Sequence, residues 1–329
     1  MIVDEKNIVQ RLIYLWIFAE TALGGLMHLL HIPLTGFVLG GFSIVINLLL
    51  VKYARSNYKL LWSALFMVLL AKFTFNPYTP IGAYVAVGFQ GSLAIILFSL
   101  VGMNGITILF YAICVMLENA IQKPLVAYLI FGKELWNGIQ SLIITFFKLN
   151  MGQDVEIKLL LLIYVLIYLL WGIIVGYWSR KLIHSIENYE LPSDFIMTIS
   201  KEEALKPSVM RKKLVGWTGI VLFVFLIVLL WFKVISWIYI LKTIGLLLVF
   251  TVLLPFIIQH VLAFFSNKNA DKMQTIRDEM SVLYHNFIQI YHYVKDLKGV
   301  SKLKIFMYLM IYVNIFYNDK EKMDEDGRT

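Results

Sequence analysis

The residues best suited to chemistry in this chain are polar side chains set within, or at the ends of, long apolar runs: Glu20, Lys72, Asn76, Gln90, Glu118, Asn119, Gln122 and Lys123. A charge at the centre of a bilayer costs on the order of 3 kcal/mol, so such groups face one another, a cavity or a ligand. Two spacings sharpen the set. Glu118 with Gln122, and Asn119 with Lys123, are i, i+4 pairs that stack on adjoining faces of one helix as a continuous polar strip. Amides and a lysine so arranged can donate and accept hydrogen bonds to a small solute. They can equally serve to neutralise a buried charge, with Glu118 paired to Lys72 or Lys123. Both readings stand at this level.

The motifs of covalent or energy-consuming enzymes are missing. The chain has no G-x-x-x-x-G-K-[ST] loop for nucleotide phosphates, no H-E-x-x-H, no G-x-S-x-G and no paired-cysteine zinc spacing. His28 and His31 form a helical i, i+3 pair, better read as headgroup contacts than as metal ligands. The single cysteine, Cys114, lies in an apolar run and reads as a small buried hydrophobe. No enzyme, cofactor or metal is expected. A lipid enzyme using Glu118 or Glu20 as acid or base is the least favoured reading, because neither has a motif-level partner.

Elements that could position these groups must be helices in lipid. Hydrophobic residues make up 60% of the chain and charged ones 15%, a balance outside that of ordinary soluble domains. Crossing a bilayer core takes about 20 apolar residues as a helix, and lipid forces every backbone amide to be satisfied internally. The Leu/Ile/Val/Phe runs lack the alternation of membrane strands, which argues against a β-barrel. The expected fold is therefore all-α, a polytopic membrane protein with about eight spans: residues 11–31, 34–53, 59–75, 80–101, 104–131, 157–179, 214–234 and 237–265. Residues 135–149 are amphipathic and read as surface-lying. No removable signal peptide is expected at the start.

Charge sets the orientation. Lys52, Arg55 and Lys59 share one short connection, and Arg180, Lys181, Lys201, Lys206, Arg211, Lys212 and Lys213 flank another. The positive-inside rule puts both clusters, and both termini, in the cytoplasm of a bacterial inner membrane, and it accounts for the net charge of +8 without nucleic acid. Gln90 and the Asn119 strip then meet in the outer half, with Lys72, Asn76 and Tyr78 nearby and Tyr84 and Trp62 as candidate aromatic walls of an outward-facing solute cavity.

Four parts are expected: a six-helix unit 1–185, a loop 186–213, a two-helix extension 214–265 and a helical cytoplasmic tail 266–329. In the tail, Met273, Met280, Phe287 and Val294 repeat every seven residues, with Ile276, Leu283, Ile290 and Leu297 three residues later. The stripe predicts a hairpin with residues 302–317 ahead of a coiled coil, or else a surface for a cytoplasmic partner. Small residues are the other pattern. Ala19, Ala22, Gly24 and Gly25, then Gly36, Gly40 and Gly41, then Gly88 and Gly91, permit close helix packing ahead of partner docking.

Several of these segments together resemble a known family: AETALGGLMH at 19–28, HIPLTG at 31–36, PIGAYVAVGFQG at 80–91 and QKPL at 122–125. Over about residues 10–185 they are similar to the substrate-binding S components of energy-coupling factor transporters. The resemblance implies capture of a vitamin-like solute on the outer side. It further implies that the small-residue face at Ala19, Ala22 and Gly25 docks a transmembrane coupling subunit driven by separate ATPases. The family spaces its contact alanines by four, whereas Ala19 and Ala22 are three apart. The expected function is a solute-binding component of micronutrient uptake. The alternative is a non-catalytic scaffold that recruits a cytoplasmic partner through Met273, Met280 and Phe287.

Overall fold

The computed structural model describes residues 5–25, 35–55, 57–76, 79, 81–151, 157–189, 191–192, 195, 269–297 and 299–317, with isolated positions between 245 and 268. Every element among them is helical: α1 (Glu5–Phe18, continuing as a π turn, Ala19–Leu23), α2 (Thr35–Tyr53), α3 (Tyr58–Phe75), α4 (Ile81–Val101), α5 (Gly105–Met151), α6 (Ile157–Ser185), α7 (Ala270–Val294) and α8 (Gly299–Tyr312, with a π turn Val313–Tyr317). Five stretches, within α2 to α6, are long and apolar enough to cross a membrane. The expected seventh span lies outside the described residues, as does most of the eighth. So do the 26–34 connection with its histidine pair, and Tyr78.

Local chemistry sets the boundaries. Asn57 caps α3, its Oδ1 accepting from the Leu60 amide at 3.2 Å. Asn104 Oδ1 accepts from the amides of Ile106 and Thr107, each at 3.0 Å, and Thr107 Oγ1 accepts from the Asn104 amide at 2.9 Å, a reciprocal cap on α5. Gly102 takes a positive φ of 76° in the turn before it, a conformation that a side chain would strain. As one straight rod α5 would be about 70 Å long, over twice a bilayer core. It breaks at Gly132, where φ is 68° and ψ −158°, so the spanning part ends there and residues 133–151 form a separate helical arm.

Helix α1 is the spine. Leu15, Trp16, Ile17, Phe18, Ala19, Glu20 and Thr21 are buried in succession, which places protein on every side of that stretch. Its neighbours are α2, α3, α7 and the end of α8. The outer surface has the opposite character: on α6, Leu159, Leu162, Leu166, Leu170 and Ile173 recur at helical spacing and are exposed. An apolar stripe of that length fits hydrocarbon and not water.

Helix α1 begins at Glu5, six residues before the expected start, because its polar first turns are held by the tail: Arg11 Nη1 donates to the Ile315 carbonyl at 2.7 Å. The heptad stripe is likewise covered from within the chain. Helices α7 and α8 form a hairpin whose buried residues include Met273, Ile276, Leu283, Ile290 and Val294, with Phe287 packed between Phe18 of α1 and Phe306 of α8. Asn286 Nδ2 donates to Asn314 Oδ1 at 2.7 Å inside that hairpin, fixing its register.

At the same end of the bundle, Lys52 and Glu187 clasp α2 to the segment after α6 at 2.8 Å, and the Tyr53 hydroxyl also donates to Glu187 at 2.7 Å. Those hydrogen bonds, from Lys52 and then Tyr53, hold the Glu187 carboxyl below the ordinary glutamate value. A lowered folded value means stabilisation that is complete above the unfolded pKa of about 4.3 and lost as pH falls through the folded one. Glu187→Gln should therefore lower the melting temperature in detergent at pH 7 by the equivalent of under about 1 kcal/mol, given the exposure of the pair. The difference from wild type should close at acid pH, where both side chains are neutral, as a melting series across pH will show.

Candidate functional site

A cavity of about 430 Å³ lies among α1, α2, α3, α4, α5 and α6, near the end of the bundle where α2 and α4 begin and α3 stops. Six of the residues singled out in the sequence line it: Glu20, Lys72, Asn76, Gln90, Asn119 and Gln122. Thr79 and Tyr168 add hydroxyls, and Leu39, Val126, Ile130 and Phe131 supply apolar wall.

Its floor is a buried ion pair. Lys72 Nζ donates to Glu20 Oε2 at 2.5 Å and to the Glu20 carbonyl at 3.4 Å, with both side chains about 95% buried. The other carboxylate oxygen accepts from Ser43 Oγ at 2.9 Å, and that hydroxyl accepts from Trp16 Nε1 at 3.1 Å. One chain of hydrogen bonds thus joins α1, α2 and α3. Glu20 sits in the π turn Ala19–Leu23, where the wider spacing of the backbone ladder suits a carbonyl that also accepts from a side chain. Lys72 therefore takes Glu20 as its partner, not Glu118. Oxygen Oε2 of Glu118 is buried with no partner among the described residues, and Glu118 does not line the cavity.

The upper wall is built from amides. Gln122 Nε2 donates to the Gly82 carbonyl at 2.6 Å, tying α5 to α4, and the Tyr111 hydroxyl donates to the Gln90 carbonyl at 3.1 Å. Glycines make room for these groups. A Cβ on Gly40 would stand 2.6 Å from Asn119 Nδ2, and one on Gly82 3.3 Å from the Gln122 amide. Two polar atoms of lining residues have no partner among the described residues: Gln90 Oε1, an acceptor, and Asn119 Nδ2, a donor. Buried polar atoms are nearly always hydrogen-bonded, so an unpartnered acceptor and an unpartnered donor on two residues beside one cavity stand out, although both atoms are themselves covered and Asn119 Nδ2 lies against Gly40.

Lys123 is part of α5, its side chain lying outside the described set, and Trp62 is exposed away from the cavity. Tyr84 is not among the lining residues. Ala19 is buried within the bundle, Ala22 is half-buried, and a Cβ on Gly25 would lie 3.2 Å from Asn76 Nδ2. Gly91 allows a close approach, since a Cβ there would be 2.6 Å from Leu65 and 3.0 Å from Trp16, while Gly88 faces open space. Thr79 and Tyr168 are polar lining residues that the sequence reading missed, and Tyr168 lies deeper in its helix. The signal for Tyr168 is slight: a hydroxyl in the run LLLLIYVLIYLLWG, four residues after Tyr164, whose ring centroid is 4.9 Å away.

What the arrangement can do is bind. It offers a pair of opposite charges that cancel, two amide side chains with an acceptor and a donor unpartnered among the described residues, and hydroxyls above an apolar wall. The described residues contain no cluster of metal-ligating side chains. Comparisons with family models, curated proteins and solved structures return no match.

Removing one member of the floor pair leaves the other buried and uncompensated, a loss of roughly 3–5 kcal/mol, whereas replacing both by neutral groups loses far less. Lys72→Met should accordingly lower the melting temperature sharply, and Glu20→Gln combined with Lys72→Met should recover most of the loss. A thermal-shift comparison of wild type, single and double variants measures it.

Proposed function

We propose that the protein is a membrane-embedded solute-binding component of a micronutrient uptake system, energised by separate subunits. The observation that carries this reading is a cavity of about 430 Å³, a size suited to a vitamin-like molecule, lined by Gln90 and Asn119, whose Oε1 and Nδ2 have no partner among the described residues and would turn toward a solute. The solute class follows from the lining. Because the Glu20–Lys72 pair is internally neutral, the cavity favours a near-neutral molecule with an amide-like edge, one N–H for Gln90 and one carbonyl for Asn119, and an apolar part against Ile130 and Phe131.

Orientation agrees with outward capture. Lys52, Arg55, Lys59, Arg180 and Lys181 all lie at the end of the bundle opposite the cavity, and the positive-inside rule favours the cytoplasmic side for that end, which supports the proposed placement in a bacterial inner membrane with both termini inside. The S-component resemblance supports the same reading and supplies the partners, a transmembrane coupling subunit and ATPases. The scaffold alternative gains no support from the heptad stripe, which is turned onto α1 and α8.

Native mass spectrometry of the full chain, extracted gently from its own membranes, should find one small molecule bound. Gln90→Ala with Asn119→Ala should reduce its retention by roughly 10- to 100-fold, the loss expected for two hydrogen bonds. Retention unchanged in that variant would sink the assignment, and ATPase subunits that co-purify would identify the energy source.

A further inference from the structure

A second cavity, of about 310 Å³, lies on the other side of α2, between α2, α6 and α8. Its walls are apolar and aromatic, chiefly Val38, Phe42, Val45, Trp171, Val175 and Met307, and Val38 is half exposed at its open side. At the basic end of the bundle it runs into a larger polar recess of about 580 Å³, with which it shares Lys181, Lys304 and Tyr308. His184 and Asn188 complete the recess, and no carboxylate lines either space among the described residues. The nearby acid, Glu187, is already engaged by Lys52 and Tyr53.

We propose that this groove and recess hold one anionic phospholipid, an acyl chain along α2 and α6 and the phosphate headgroup between Lys181 and Lys304. Three observations fit that occupant. The two ammonium groups are exposed at the end of an apolar slot, the charge pattern of an anionic amphiphile. Trp178 and Tyr308 line the slot close to the lysines, as aromatic residues do at the level of lipid headgroups. Ser179 is fully buried, lines the slot, and its hydroxyl has no partner among the described residues. Thr21, Thr74 and Ser185 instead return their hydroxyls to the carbonyl four residues before. The Ser179 hydroxyl is covered in this structure, so donation to a glycerol ester carbonyl in the groove requires a shift of the groove wall.

The site is separate from the solute cavity, so its test is independent. The delipidated full chain is equilibrated with mixed micelles holding equal phosphatidylglycerol and phosphatidylcholine, and bound lipid is read by native mass spectrometry. Wild type should retain one phosphatidylglycerol at least tenfold over phosphatidylcholine. Lys181→Gln with Lys304→Gln, both at exposed positions, should abolish that preference, and Val38→Trp should reduce retention of either lipid by blocking the slot. Equal retention of the two lipids by wild type, or a preference that survives the double lysine change, would overturn the proposal. So would retention insensitive to Val38→Trp, or glycerol 3-phosphate binding as tightly as the lipid, since both would leave the apolar slot without a role.

Discussion

One ion pair, about 95% buried, constrains the rest of this bundle. Glu20 and Lys72 are tolerable at depth only because every strong group around them is answered: carboxylate by ammonium and by Ser43, Ser43 by Trp16. That requirement fixes three helices at once. Helix α1 must present Glu20 at the height of Ser43 on α2 and Lys72 on α3, and the π turn is the local distortion found where it does so. Trp16, lodged against Gly91 of α4, carries the constraint to a fourth helix. A hydrophobic bundle in lipid has little to choose between helix rotations, so a polar chain of this kind specifies the arrangement where apolar packing alone leaves it open.

The same pair determines what the cavity above it can be. An unpaired lysine or glutamate there would select an ion of opposite sign. Cancelled against each other, they leave a floor that is polar without net charge, and on the proposed reading discrimination passes to the amides of Gln90, Asn119 and Gln122. Glycine does the rest, since Gly40 and Gly82 give the α5 amides the room that side chains would take. Small residues in this chain therefore serve two ends: close packing at Gly91, and access at Gly40.

Much of the cavity was legible because polar residues in apolar runs are conspicuous. Glu20, Lys72, Asn76, Gln90, Asn119 and Gln122 stand out one by one, and an up-and-down bundle brings their depths together. Partner identity was not legible. Whether Lys72 meets Glu20 or Glu118 depends on helix rotation, and α2 to α4 are apolar on nearly every face, so periodicity does not separate the lipid side from the core side. That is also why Trp62 reads as a wall residue yet faces outward, and why Tyr168 hides in α6. The tail shows the converse. Its heptad stripe is plain in the sequence because the opposite face is charged, but a stripe announces only that something covers it. That the cover is α1 and α8 is tertiary information.

The hydrogen bond from Arg11 to Ile315 spans 304 positions, and it implies an order of events during synthesis. At about 5–20 residues per second, α1 leaves the ribosome some 15 to 60 seconds before the hairpin that packs against its flank. Glu20 waits only for Ser43 and Lys72, so the polar chain can close early, while Phe18 stays bare until Phe287 arrives. A nascent chain interrupted before residue 270 thus holds its pocket floor together yet displays an uncovered spine. That is the kind of surface by which proteases and chaperones tell an unfinished membrane protein from a finished one.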